Sequence, residues 1–105
     1  MIRELNAVVW EQMRNDSVKR AVLLTTPFCG TCQLALTMLE IIATTKPDWQ
    51  IAQLSVMEIP EDVQRWQIRS VPCIIIVQDH VLLDHWYRIG SVTELWERLG
   101  QFFKL

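Results

Sequence analysis

The chain has 105 residues, of which half are apolar and 21% are charged, as in an ordinary globular domain. Ten basic and twelve acidic residues are interspersed and give a formal net charge of −2, so no basic stripe is available for nucleic-acid phosphates. No apolar run approaches the roughly 20 residues of a membrane-spanning helix and the N-terminus has no apolar signal core, so we expect one cytoplasmic domain over residues 1–105 with no membrane or nucleic-acid partner.

The first half of the chain predicts helix, strand, helix and strand in that order. Apolar residues at helical spacing indicate an amphipathic helix over residues 6–16. The continuously apolar residues 21–24 are typical of a strand that is buried on both faces and therefore central in a sheet. Residues 30–46 form the longest helical pattern, which ends before Pro47, and residues 50–56 alternate as in a strand. The buried face of the long helix is predicted to hold Leu34, Met38, Leu39, Ile41 and Ile42.

The second half predicts a short helix, a hairpin and a last helix. Pro60 is suited to open the short helix. Residues 73–77 form the strongest strand pattern, and residues 81–87 are predicted to pair with them as a hairpin. Ser91 is predicted to cap the last helix, with Glu94 in the position of a capping box. Alternating helices and strands followed by a hairpin indicate an α/β fold with a mixed sheet and helices on both faces.

Two of the three cysteines stand in Cys29-Gly30-Thr31-Cys32, directly after the predicted central strand and at the start of the longest helix. Cysteines three residues apart in a first helical turn can bring their sulfurs within disulfide reach. The first of them meets unpaired backbone N–H groups and the positive end of the helix dipole, and both favour a thiolate. Cys29 is therefore the expected nucleophile, and Cys32 the expected resolving thiol. The odd number of cysteines argues against a framework of structural disulfides.

The segment Thr26-Pro27-Phe28-Cys29-Gly30-Thr31-Cys32, with Ser70-Val71-Pro72 about forty residues later, resembles the thioredoxin family. The likeness extends over nearly the whole chain, because the predicted elements follow the family's order. It implies a thioredoxin fold and a thiol–disulfide oxidoreductase that reduces or exchanges disulfides in partner proteins without a cofactor. It also implies a thioredoxin reductase or a low-molecular-weight thiol as the electron donor.

By the same resemblance, several residues near the cysteines position the substrate. Pro72 is expected to follow a cis peptide bond and to face the redox pair. The backbone of Val71 is expected to pair with the extended substrate segment, and Ile89 to join an apolar rim for docking. The other residues expected to position the substrate are Phe28, Gly30, Thr31 and Gly90.

Two departures from the family's pattern concern the resolving thiol. The buried aspartate that thioredoxins carry six residues before the first cysteine is replaced by Leu23, and its lysine partner by Gln53. In the family that aspartate is thought to help deprotonate the resolving thiol. Without it, we expect the proton of Cys32 to pass to water or to the departing thiolate. Phe28 and Thr31 likewise stand where the family usually has tryptophan and proline.

Cys73, which directly follows Pro72, has two interpretations. It is either a small buried hydrophobe in a strand or a third redox or metal-binding thiol. A closed zinc site would need His80 or His85 beside the three cysteines, and both histidines are predicted on the far hairpin, so we expect no metal. The alternative class of function is a non-catalytic module that binds a metal or an iron–sulfur cluster, or that serves only as a docking protein.

The remaining charged and titratable residues are expected to have ordinary surface roles. Glu58, Glu61 and Asp62 are predicted to form a solvated acidic face and the start of the short helix, where negative charge meets the helix dipole favourably. His80 and His85 are predicted to be exposed hairpin residues and are assigned no role.

Overall fold

The structure, a computed structural model, describes residues 2–13 and 16–103. The helices are α1 (Ala7–Gln12), α2 (Gly30–Thr45), α3 (Pro60–Arg65) and α4 (Val92–Gly100), with a 3-10 turn at Val56–Glu58. The strands are β1 (Arg3–Glu4), β2 (Arg20–Thr25), β3 (Ile51–Ser55), β4 (Cys73–Gln78) and β5 (Val81–Trp86). The predicted strands and α2 are confirmed to within about one residue at each end. The first helix is shorter than predicted, and residues 14 and 15 of that prediction lie outside the described residues. Strand β1 was not predicted.

The strands form one mixed sheet in the order β1-β3-β2-β4-β5. Strand β3 runs parallel to both β1 and β2, whereas β4 runs antiparallel to β2 and to β5. The predicted central position of β2 is therefore confirmed, and its residues 21–24 are buried. Because β2 is the central strand, the loop that follows it places the start of α2 in the middle of the sheet, at the C-terminal end of β2.

Apolar residues on the two sheet faces form two separate core clusters. One cluster joins alternate residues of β2 and β4 to α2 and α4, for example Leu23, Leu39 and Leu99. The other joins the remaining residues of these strands to α1 and α3, including Trp10 and Cys73. Helices thus cover both faces, as predicted for this fold class. Among the described residues no helix is both long enough and apolar enough to cross a membrane.

The buried face of α2 differs from the predicted one. Helix α2 buries Cys32, Ala35, Leu39 and Ile42, which recur at a spacing of three or four residues. That spacing turns Leu34 and Ile41 away from the sheet, and their exposed fractions are 59% and 52%. The prediction that these two residues belong to the core was wrong, because α2 carries a second apolar stripe on its outer surface.

Asp62 is buried rather than solvated, which also contradicts the sequence-based expectation. Its exposed fraction is 4%, and its Oδ2 accepts hydrogen bonds from Nε1 of Trp10 (2.8 Å) and Nε2 of His80 (3.1 Å). Arg65 forms an ion pair with Oδ1. A carboxylate can only accept, so Nε2 of His80 carries the proton in this contact. His80 therefore has a structural role, and it joins the β4–β5 turn to α1 and α3.

Candidate active site

The two cysteines predicted to form the redox pair lie where β2 ends and α2 begins. Cys29 is the N-cap of α2, with an extended backbone (φ −99°, ψ 103°), and Cys32 lies in the first turn. Their Cα atoms are 5.2 Å apart and a disulfide joins their sulfurs. The helix start therefore brings the two predicted redox residues into direct contact.

One backbone N–H and one side-chain hydroxyl at the helix start lie against the sulfur of Cys29. The N–H of Cys32 donates to Sγ of Cys29 at 3.2 Å, and Oγ1 of Thr31 lies 3.5 Å from the same sulfur. In the reduced protein these groups and the positive end of the dipole of α2 would stabilise a Cys29 thiolate. Cys29 is half-buried, whereas Cys32 is 1% exposed. The geometry thus differentiates an accessible sulfur from a sheltered one.

The loop before the cysteines presents an aromatic ring to solvent. Phe28 adopts a left-handed backbone conformation (φ 64°), and its side chain is fully exposed. In the next turn Gly30 is exposed, and a Cβ built there would meet no atom within 4 Å. Phe28 and Gly30 therefore shape the surface around Cys29 without contributing to the core.

Residues from three separate segments of the chain line an apolar cleft of about 310 Å³ beside the redox pair. Three of them, Thr31, Pro72 and Gly90, were predicted from the sequence to position the substrate, and Ile89 was predicted on the docking rim. The residues that sequence reasoning did not place there are Leu34, Ala35, Met38 and Tyr87. The second apolar stripe of α2 could have indicated that Leu34 and Met38 line a surface cleft. No sequence pattern indicated this for Tyr87.

Two positions that line the cleft have an unusual backbone conformation. The Val71–Pro72 peptide bond is cis, and Gly90 has a left-handed φ of 73°. The backbone N–H of Arg69 donates to the hydroxyl of Tyr87 at 3.2 Å, which ties the segment before Pro72 to the strand end that carries Tyr87. Val71 itself packs on the cluster of α1 and α3.

Cys73 is separated from the redox pair by the sheet. Its side chain is buried in the cluster on the α1 and α3 face, whereas the redox pair belongs to α2 on the opposite face. Burial raises the pKa of the Cys73 thiol to about 12. Among the described residues no three His, Cys, Asp or Glu side chains are grouped so as to hold a metal ion.

Comparisons with known proteins point to one family. The thioredoxin family model matches residues 2–96. The thioredoxin-like protein YusE of Bacillus subtilis (strain 168) is 38% identical over 78 residues, which are 74% of each chain. The thioredoxin of Mycoplasmoides gallisepticum is 29% identical over 89 residues, or 85% of this chain and 87% of that relative. The crystal structure of Chlamydomonas reinhardtii thioredoxin f2 shares the fold, with a TM-score of 0.78, 14% identity, and coverage of 97% of this chain and 96% of the other.

Proposed function

The chain belongs to the thioredoxin family, and we propose that it reduces or exchanges disulfides in partner proteins through a Cys29/Cys32 dithiol–disulfide cycle. Family membership and the closely spaced pair support a thiol–disulfide oxidoreductase in general. The observation that carries the finer statement is the 3.2 Å hydrogen bond from the N–H of Cys32 to Sγ of Cys29, at the N-terminus of a 16-residue helix. That contact favours a thiolate on the more accessible cysteine, which is what a nucleophile requires.

The cycle has two exchange steps. The Cys29 thiolate attacks one sulfur of a partner disulfide, forms a mixed disulfide and releases the other partner sulfur as a thiolate. Cys32 then loses its proton and its sulfur attacks that of Cys29, so that the second partner sulfur leaves. Two electrons pass from the cysteine pair to the partner, whose disulfide becomes a dithiol. A thioredoxin reductase or a low-molecular-weight thiol then returns the pair to the dithiol form.

The apolar cleft beside the pair suits a protein substrate. The cis-bonded Pro72 lines the cleft together with Thr31 and Gly90, and the backbone of the neighbouring Val71 can position an extended segment. The exposed ring of Phe28 and the half-exposed Leu34 extend the apolar surface on which a partner would rest. We place this activity in the cytoplasm, a compartment in which thiols are kept reduced. Cys73 serves as a core residue in this proposal.

The test is the reduction of insulin disulfides with dithiothreitol as the electron donor. Cys29→Ser is expected to abolish catalysis, and Cys32→Ser to trap partners as stable mixed disulfides on Cys29. Cys73→Ala is the matched control and should keep the wild-type rate, because Cys73 lies on the other face of the sheet. Catalysis by Cys29→Ser, or a failure of Cys32→Ser to form any mixed disulfide, would contradict the proposal.

The reduction potential of the pair then distinguishes the direction of exchange. Equilibration in dithiothreitol buffers, followed by alkylation and mass measurement, gives the potential. A value near the roughly −270 mV of thioredoxin indicates a reductant of protein disulfides. A value nearer about −200 mV indicates an isomerase or a glutathione-coupled role.

A further inference from the structure

A cleft of about 510 Å³, lined by both polar and apolar residues, meets the sheltered cysteine of the pair. Cys32 lines this cleft together with the ends of the parallel strands β1, β2 and β3. Two carboxylates also line it, those of Glu4 at the end of β1 and Glu58 in the 3-10 turn after β3. At roughly 30 Å³ for each water molecule, the cleft has room for a chain of several waters.

The strand register places one of these carboxylates in line with the position where the family's aspartate is missing. Leu23 of β2 pairs with Gln53 of β3, and Gln53 pairs with Glu4 of β1. Paired residues share a face of the sheet, and Leu23 packs on the cluster that contains α2. The row Leu23–Gln53–Glu4 therefore runs across the sheet beneath α2 and ends in an acid. At about 4.8 Å per strand, Glu4 lies about 10 Å along this row from Leu23.

Both carboxylates are available to accept a proton. Glu4 and Glu58 are exposed, and neither forms an ion pair with any residue in 2–13 or 16–103. Leu23 cannot accept a proton from Cys32, and the amide of Gln53 is a poor base. Among the side chains that line the cleft, Glu4 and Glu58 are the carboxylates.

We propose that Glu4 and Glu58 accept, through water in this cleft, the proton that Cys32 releases when it resolves the mixed disulfide. This inference rests on the proposed function and names two positioning residues for its second step. The proton passes from the Cys32 thiol to a cleft water and from there to a carboxylate. The Cys32 sulfur forms a bond to the Cys29 sulfur as the bond from Cys29 to the partner sulfur breaks. The partner thiolate leaves with the electron pair, and the carboxylate later returns its proton to solvent.

The experiment follows the two steps separately with 5,5′-dithiobis(2-nitrobenzoate). Attack by Cys29 releases the first nitrothiobenzoate anion at a rate that depends on reagent concentration. Attack by Cys32 on the mixed disulfide releases the second anion at a rate that does not. Stopped-flow absorbance resolves both steps for the reduced wild-type protein and for the double variant Glu4→Gln, Glu58→Gln. The control is Glu61→Gln, Glu97→Gln, which removes the same charge from exposed residues outside the cleft.

The double variant should release the second anion at least about tenfold more slowly at pH 6, since a positioned base typically contributes a factor of 10² to 10⁴ and a water relay part of that. The difference should shrink as the pH rises, because hydroxide then takes the proton directly, and added acetate should restore the rate at pH 6. The control should behave as wild type.

Two results would overturn this assignment. An unchanged or faster second step would do so, because loss of negative charge without loss of a base favours the Cys32 thiolate. A slowing that is equal at every pH would indicate a structural effect instead. If the second anion is not released even by the wild type, the proposed dithiol–disulfide cycle itself fails, and that outcome is distinct from both.

Discussion

The buried carboxylate of Asp62 predicts a large loss of stability on truncation. In Asp62→Ala, the indole N–H of Trp10 and the Nε2–H of His80 lose the acceptor that now lies 2.8 and 3.1 Å away. Each buried donor left without a partner costs about 1–3 kcal/mol, and Asp62→Ala leaves two such donors. The ion pair with Arg65 adds little, because the Arg65 side chain is half-exposed. We expect Asp62→Ala to lower the free energy of unfolding by about 3–4 kcal/mol.

The matched control for this prediction is Glu61→Ala. Glu61 is also an acid in the first turn of α3, so both variants lose the same favourable interaction with the helix dipole, but Glu61 is exposed. Urea unfolding followed by far-UV circular dichroism measures both, since fluorescence would be altered in variants of Trp10. Combining Asp62→Ala with Trp10→Phe should give a coupling energy of about 1–2 kcal/mol. Equal losses in the two alanine variants, or additive effects of Asp62→Ala and Trp10→Phe, would contradict a stabilising role for the buried Asp62 carboxylate.

Three further predictions concern Cys73, Phe28 and Gly90. Because burial raises the pKa of the Cys73 thiol from 9.0 to about 12, the unfolded chain releases this proton at lower pH than the folded protein does. The stability present below pH 9 is therefore lost as the pH rises towards 12, by about 1.4 kcal/mol of unfolding free energy per pH unit. Urea unfolding of the disulfide form at pH 8 and pH 11 should show this loss in the wild type but not in Cys73→Ala. Phe28→Ala should leave the free energy of unfolding within about 0.5 kcal/mol of wild type. It should raise KM for insulin several-fold but leave the rate of reaction with 5,5′-dithiobis(2-nitrobenzoate) unchanged. Equal losses with both substrates would contradict a docking role for Phe28. Gly90→Ala should lower the free energy of unfolding by about 1–2 kcal/mol, because the left-handed backbone of Gly90 (φ 73°) disfavours a side chain. Gly30→Ala should cost nothing, because its Cβ would meet no atom. Similar urea midpoints for the two variants would contradict this prediction.

The elements and the pairing of Cys29 with Cys32 could be predicted because their signals are local. Periodic apolar residues mark α2 and the strands, and the spacing of Cys29 and Cys32 at a helix start already indicates their chemistry. The N-cap at Ser91 was also readable, and its Oγ accepts the N–H of Glu94 at 3.1 Å. The side chain of Glu94, however, forms an ion pair with Arg88 at 2.7 Å, and this contact depends on the position of the segment before Ser91.

The burial of Asp62 could not be predicted because its partners are distant in the sequence. Trp10 lies 52 residues before it and His80 lies 18 residues after it, on different elements. A carboxylate in the first turn of a short helix is ordinarily explained by the helix dipole alone. Its burial depends on how α1, α3 and the β4–β5 turn meet, and no periodic pattern encodes that meeting. The same turn holds Asp79 and His80 in left-handed conformations (φ 53° and 59°), where glycine or asparagine would be usual.

The position of Glu4 relative to Leu23 and Gln53 could be recognised only from the register of the strands. The sequence alone shows that Leu23 and Gln53 stand where the family has a buried aspartate and its lysine partner. Strand β1 escaped prediction because its two residues, Arg3 and Glu4, are both polar and carry no alternation. Once β1 pairs with β3, the parallel register extends the row from Leu23 and Gln53 to Glu4 and places a carboxylate on the cleft that reaches Cys32. On the proposed function, the cleft thus links Cys32 to a carboxylate at a distance, and water between them would carry the proton.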